Sequence, residues 1–229
     1  MGEGGFKLPW MTYEELRKRA DAFRSKHQVA SMACPIELIV ERLGLDIVPV
    51  RDLYRNFDIS AYLTADMSAI NVDMYCTECR EATYRFALAH EMAHLELHSE
   101  LWHQLSFQSV TEWPTAVCTL LTGEEYKGVE WQAEAFAGLV LVPQDHLRTV
   151  FEGQVEDIVE RAKAYSGVSP QICFDICFKV LCERVADQFV VDPIVVGVRC
   201  DYDKLSDEFA ARLFGDEHGL ETTHRHVRR

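Results

Sequence analysis

RFALAHEMAHLELH, residues 85–98, sets His90, Glu91, His94 and His98 into a run that is otherwise largely apolar. The segment is predicted to be helical and apolar on nearly every side from Phe86 to Leu97, so it must lie inside a domain. Polar groups buried there without partners would cost several kcal/mol, roughly 2–7 each. On a helix, positions i and i+4 stack on one face about 6 Å apart along the axis, which lets His90 and His94 point two imidazole nitrogens at one ion. Glu91 sits beside them. This is HExxH, in which two histidines hold a metal and the intervening glutamate takes a proton from the attacking water.

His98 lies eight residues beyond His90, about 12 Å along an unbroken helix and turned by about 80°, and cannot reach the same ion. Sites that draw a third histidine from downstream break the helix with a glycine first, and HLELH contains none. His98 is therefore expected to support or pack behind the site. A catalytic zinc needs one more protein ligand and an open position. EWQAEAFAGLVLVP, residues 130–143, offers two carboxylates on one predicted helix face, Glu130 and Glu134, and its small residues Ala133, Ala137 and Gly138 allow close approach to the first helix. Glu130 is favoured as the ligand, with Glu134 orienting one of the metal-binding groups. Zinc is the expected ion, with Mn2+ as the alternative.

Working outward, TYEELRKRADAFRSK (12–26) has helical spacing and a Thr12/Glu15 capping-box pattern. Pro35, the apolar repeat Ile36, Ile39, Val40, Leu43 and the stop at Gly44 predict a helix, followed by the strand LDIVPV. ISAYLT and SAINVD alternate around Ala65-Asp66 and predict an antiparallel hairpin. The metal-site helix is expected from about Thr77 to His98. Residues 99–128 read as a long, partly helical connection serving as a lid or specificity segment, with His103 and Tyr126 as candidates to stabilise an oxyanion. The stretch 144–187 predicts a helical hairpin with a stop at Gly167 and a cap at Ser169; FVVDPIVVGVRC reads as a strand broken by Pro193, and SDEFAARLF as a short helix. Residues after Gly215 read as a disordered tail. The expected organisation is one domain over 1–200, mainly helical α+β with a small antiparallel sheet beside the HExxH helix, and an appendage over 201–229.

Composition narrows the function classes. The 229 residues are 48% hydrophobic and 26% charged, and Asp and Glu outnumber Lys and Arg by 37 to 23, a net charge of −14. With its short basic cluster HRHVRR confined to the chain end, the protein is not expected to bind nucleic acid directly. The second hairpin helix carries Ile172, Phe174, Ile176, Val180 and Leu181 and lacks a basic face, so a DNA-reading helix-turn-helix is disfavoured against packing. No membrane span and no leader are read, which gives an expected cytoplasmic location. The eight cysteines lie mostly in apolar runs and are expected to be reduced; Cys76 and Cys79 form a lone CxxC, a weak metal signal.

The stretches PIELIVERLGLDIV, AINVD, RFALAHEMAHLELH, EWQAEAFAGLVLVP and GVSPQICFDIC, in that order over roughly residues 12–185, resemble the ImmA/IrrE family of metallo-endopeptidases. The resemblance implies metal ligands at His90, His94 and Glu130 and a general base at Glu91. It also implies a protein substrate of the helix-turn-helix repressor class, controlling phage, mobile-element or stress genes. Glu134 departs from the family pattern, which has Asn there, and the aromatic-rich connection from His98 to Glu130 is longer than usual. The competing expectation is a non-proteolytic metal-binding module that sequesters a repressor.

Overall fold

The computed structural model describes residues 9–163 and 167–215, in two compact units that meet in sequence between Leu141 and Val142. In the first unit, helix α1 (Tyr13–Lys26) begins with the expected capping box: Thr12 Oγ1 accepts the Glu15 N–H at 3.3 Å and the Glu15 carboxylate accepts the Thr12 N–H at 2.7 Å. After α2 (Ile36–Arg42) the chain passes Gly44 at φ +76°, a left-handed conformation that suits glycine, and enters strand β1 (Asp46–Val50). The short helix α3 (Leu53–Phe57) then leads to β2 (Ala61–Leu63) and β3 (Ala69–Asp73). The hairpin is antiparallel, with Tyr62 opposite Asn71, while β1 joins the other side of β3 in parallel. The sheet is thus mixed, in the order β1-β3-β2, because α3 returns the chain before β2 begins.

The helix expected from Thr77 to His98 is two helices. Asp73 caps α4 (Met74–Cys79) through the Tyr75 N–H at 2.9 Å, and its other oxygen takes the Tyr54 N–H at 2.8 Å, tying α3 to the junction of β3 and α4. The chain changes direction at Arg80 (φ −139°, ψ 67°) and only then starts α5 (Glu81–Leu97), which packs on α2, the sheet and the last helix of this unit.

Residues 99–128 are more helical than expected, with α6 (Ser99–Trp102), α7 (Trp113–Leu120) and then α8 (Gly123–Leu141). Helix α8 starts early because Thr122 and Glu125 form a second capping box: the Thr122 N–H donates to Glu125 Oε2 at 2.8 Å and the Glu125 N–H to Thr122 Oγ1 at 3.3 Å. The consequence is that Tyr126 stands on α8, one turn before Glu130. As predicted, Ala133, Ala137 and Gly138 are buried and α8 packs directly on α5. On α1, Phe23 meets Phe136 edge-to-face at 5.7 Å and the buried Arg24 donates to the Val140 carbonyl at 2.8 Å.

The second unit holds α9 (Gln144–Ala162), α10 (Pro170–Phe189), α11 (Pro193–Tyr202) and α12 (Leu205–Phe214). The α9–α10 hairpin follows expectation, with Gly167 at φ +104° and Ser169 capping α10. Its buried stripe is carried by Cys173, Cys177, Leu181, Cys182 and Val185, whereas Ile172 and Ile176 are exposed. Thiols serve here as small hydrophobes. The strand expected at FVVDPIVVGVRC is instead helix α11: the Asp192 carboxylate accepts the Ile194 N–H at 3.0 Å and Pro193 occupies the first turn, an Asp-Pro helix start that outweighs the β-branched run behind it. The tail expected after Gly215 lies outside the described residues. Among the described residues no helix is long and apolar enough to cross a membrane.

Candidate metal centre

Helices α5 and α8 bring the predicted groups together. His90 Nε2 and His94 Nε2 lie 3.0 Å apart, and the Glu130 carboxylate closes the triangle, with Oε2 3.3 Å from His90 Nε2 and Oε1 3.7 Å from His94 Nε2. Two imidazoles and one carboxylate converging on a point are a donor set suited to zinc and related divalent ions. His90, Glu91 and His94 also have ligand atoms within 4.8 Å of one another. Glu91 nevertheless has one oxygen committed elsewhere: its Oε2 accepts the backbone N–H of Leu63 on β2 at 2.8 Å. Glu130, by contrast, sets one oxygen toward each imidazole.

The charges respond to one another as parts of a cation site. Burial alone would push His90 down, but the hydrogen bond and charge of Glu130 outweigh it and hold the imidazole up at about 9. Burial opposes ionisation of Glu130, yet the two histidines, led by the bond from His90, hold it down at about 2. Without an ion, a proton on His90 supplies the positive charge that the carboxylate requires. Burial drives His94 well below the usual histidine value. Burial also raises Glu91 to about 7, with the proximity of His90 only partly opposing it. A carboxyl poised near neutrality is suited to accept and release a proton.

Behind the ligands, His94 Nδ1 faces His98 Nδ1 at 3.1 Å, and His98 Nε2 faces Gln132 Oε1 at 3.4 Å. All three side chains are almost fully buried. His98 lies behind His94 and away from the His90–Glu130 contact, and burial pushes it down to about 4, so it is neutral at pH 7. Gln132 escaped the sequence reading. Its signal was there, an amide on an α8 face otherwise lined with Val129, Ala133 and Phe136, but nothing in sequence tied it to His98.

A cavity of about 340 Å³ opens over the metal centre, walled by Tyr62, Phe86, Trp102, Trp113, Tyr126 and Glu134. The aromatics of 99–128 therefore do border the site. Trp102 stacks on the His94 ring at 4.4 Å, and Trp113 packs against Trp102 at 5.2 Å. The Tyr126 hydroxyl bonds to the Glu130 carboxylate and receives a bond from Trp113; burial, then the nearby Glu130 charge, raises its pKa. His103, the other oxyanion candidate, is exposed and is not part of this wall. Glu134 lines the cavity with its carboxyl raised by burial, but no hydrogen bond joins it to a ligand among the described residues.

Residues 78–173 match the family model described as the IrrE N-terminal-like domain of the M78 peptidases, a span that includes α5, α8 and the whole donor set. No curated protein matches the chain.

Proposed function

We propose, from the premise that residues 78–173 belong to the ImmA/IrrE family of metallopeptidases, that the protein is a zinc-dependent endopeptidase acting on a protein substrate. The observation that carries this reading is the Glu130 carboxylate set against His90 Nε2 and His94 Nε2 at 3.3 and 3.7 Å, beside a glutamate whose pKa lies near 7. His90, His94 and Glu130 would hold the ion. Bound zinc supplies Lewis acidity that polarises the scissile carbonyl and makes water a stronger acid.

Glu91 is the general base. Leu63 fixes one of its oxygens, and the carboxylate takes a proton from the attacking water as the new C–O bond forms. The same proton passes to the leaving nitrogen as the C–N bond breaks, returning Glu91 to its ionised state. The Tyr126 hydroxyl lines the cavity beside Glu130, and by turning its one proton from that carboxylate to the carbonyl oxygen it would stabilise the negative charge developing there. Trp102, Trp113 and Phe86 provide an apolar wall for the side chains flanking the cleaved bond.

The substrate class we favour is a helix-turn-helix transcriptional repressor of a phage, a mobile element or a stress regulon. Support comes from the family resemblance and from a net charge of −14, which would speed encounter with a basic DNA-binding protein. The test is to incubate the zinc-loaded chain with purified helix-turn-helix repressors and identify fragments by mass spectrometry. A single cleavage, absent in Glu91→Gln, supports the reading. A stoichiometric complex that leaves the repressor intact would replace it with sequestration.

A further inference from the structure

We propose that His98 and Gln132 are positioning residues that fix the proton of His94 on Nδ1 and so keep its Nε2 lone pair free for the metal. The inference rests on the metallopeptidase reading for its purpose, but its structural content is a hydrogen-bond direction that exists with or without an ion. His94 Nδ1 and His98 Nδ1 are 3.1 Å apart, so one proton must lie between them; two would clash and none would set lone pair against lone pair. With the Gln132 amide turned as it is, oxygen toward His98, a proton supplied by His98 would leave its Nε2 a bare lone pair facing that oxygen at 3.4 Å, a repulsive contact in a site shut off from water. If His94 supplies it, every group is satisfied: His94 Nδ1–H donates to His98 Nδ1, and His98 Nε2–H donates to Gln132 Oε1.

The surrounding frame keeps this direction. His98 ends α5 with φ −123°; its N–H donates to the His94 carbonyl at 3.0 Å, and its own carbonyl receives the N–H groups of Leu101 and Trp102. These bonds fix its backbone at the junction of α5 and α6, and near-complete burial confines its ring. Trp102 covers the face of the His94 ring at 4.4 Å, leaving rotation of that ring as a costly motion. Gln132 stands two residues after Glu130 on α8, so a single helix supplies both a candidate ligand and the acceptor at the far end of the relay. A ligating histidine whose second nitrogen is anchored in this way binds metal more tightly, typically by about 10–100-fold.

Long-range 1H–15N NMR of the metal-free full chain reads the tautomers directly. The expected spectrum has His98 protonated on Nε2 and His94 on Nδ1; His98 protonated on Nδ1 overturns the proposal. Zinc titration of Gln132→Leu and Gln132→Glu supplies the second test. Gln132→Leu should lose about 10–100-fold in zinc affinity while the metal-free protein keeps its helical circular dichroism, and Gln132→Glu, which still accepts from His98 Nε2–H, should bind as well as wild type or better. Equal binding by Gln132→Leu and wild type, or equal losses in the two variants, overturns the relay. A wild-type chain that takes up no zinc would overturn the metallopeptidase reading, and the tautomer spectrum would still decide the hydrogen-bond direction.

Discussion

The backbone N–H of Leu63 donates to Glu91 Oε2 at 2.8 Å, so a strand edge rather than the glutamate's own helix sets the orientation of the proposed base. Gln can accept the same N–H through its amide oxygen but cannot take a proton. Glu91→Gln should therefore keep the zinc and lose cleavage by about 10²–10⁴-fold. The same variant makes a stability prediction. The Glu91 carboxyl is raised from 4.5 to about 7 in the folded state, so its stabilising contribution is complete below 4.5 and is lost as pH rises through 7. Above that, the folded chain carries a buried carboxylate at a cost of roughly 1–3 kcal/mol. Metal-free Glu91→Gln should melt higher than wild type at pH 8 and close to it at pH 4. A lower melting temperature at pH 8 would show that the charge is compensated in a way this geometry does not contain.

Glu130 and Glu134 separate in the same manner. Glu130 touches both histidines, whereas Glu134, one turn further along α8, only borders the cavity. Elemental analysis of the purified variants should find zinc in Glu134→Ala and little or none in Glu130→Ala. Retention of zinc in Glu130→Ala together with its loss in Glu134→Ala would exchange their roles. A metal loss in neither would remove the carboxylate from the coordination sphere.

Metal binding should also expel a proton. His90 is held at about 9 by Glu130 and is therefore protonated in the metal-free site at pH 7.5, yet a ligating imidazole must be neutral. Calorimetric titration with zinc in two buffers of different ionisation heat should show release of about one proton per ion. The stabilisation that His90 gives the metal-free protein is complete below 6.5 and lost as pH rises through about 9, so zinc affinity should climb over that interval and level off above it. Binding heats independent of the buffer would contradict the protonated state of His90.

How much of this was legible in sequence depended on whether the signal was local. HEMAH, Glu130, the Thr12/Glu15 box and the Gly44 and Gly167 stops are fixed-spacing patterns, and each appears where its spacing placed it. The Thr122/Glu125 box is just as local, but it lies in a stretch punctuated by Pro114, Gly123 and Gly128, residues that argue for a connection and mask the start of α8 and the helical place of Tyr126. The strand expected at Pro193 shows a short-range conflict, with β-branched residues arguing for a strand and Asp192-Pro193 for a helix start. The break at Arg80 and the parallel pairing of β1 with β3 are of another kind, since they depend on which surfaces meet after folding. Gln132 and the Leu63 N–H belong there too. A glutamine is anonymous in sequence until a histidine 34 residues away is brought to face it.

In the second unit, Arg199 and Asp203 form an ion pair at 2.8 Å whose side chains are 2% and 1% exposed, and Arg199 Nε also donates to the Val142 carbonyl at 3.0 Å. The pair joins the end of α11 to the residue that opens this unit. Its removal should be asymmetric. Asp203→Ala leaves a guanidinium buried beside reduced compensation and should cost about 3–5 kcal/mol. Replacing both residues with apolar side chains of similar volume, Arg199→Met with Asp203→Leu, removes the stranded charge and should cost less, the residue of the penalty arising from the Val142 carbonyl that loses its donor. Urea denaturation of the two variants beside wild type measures the difference. A double variant as unstable as Asp203→Ala would mean that the carbonyl bond, rather than the charge pair, is what this corner of the fold depends on.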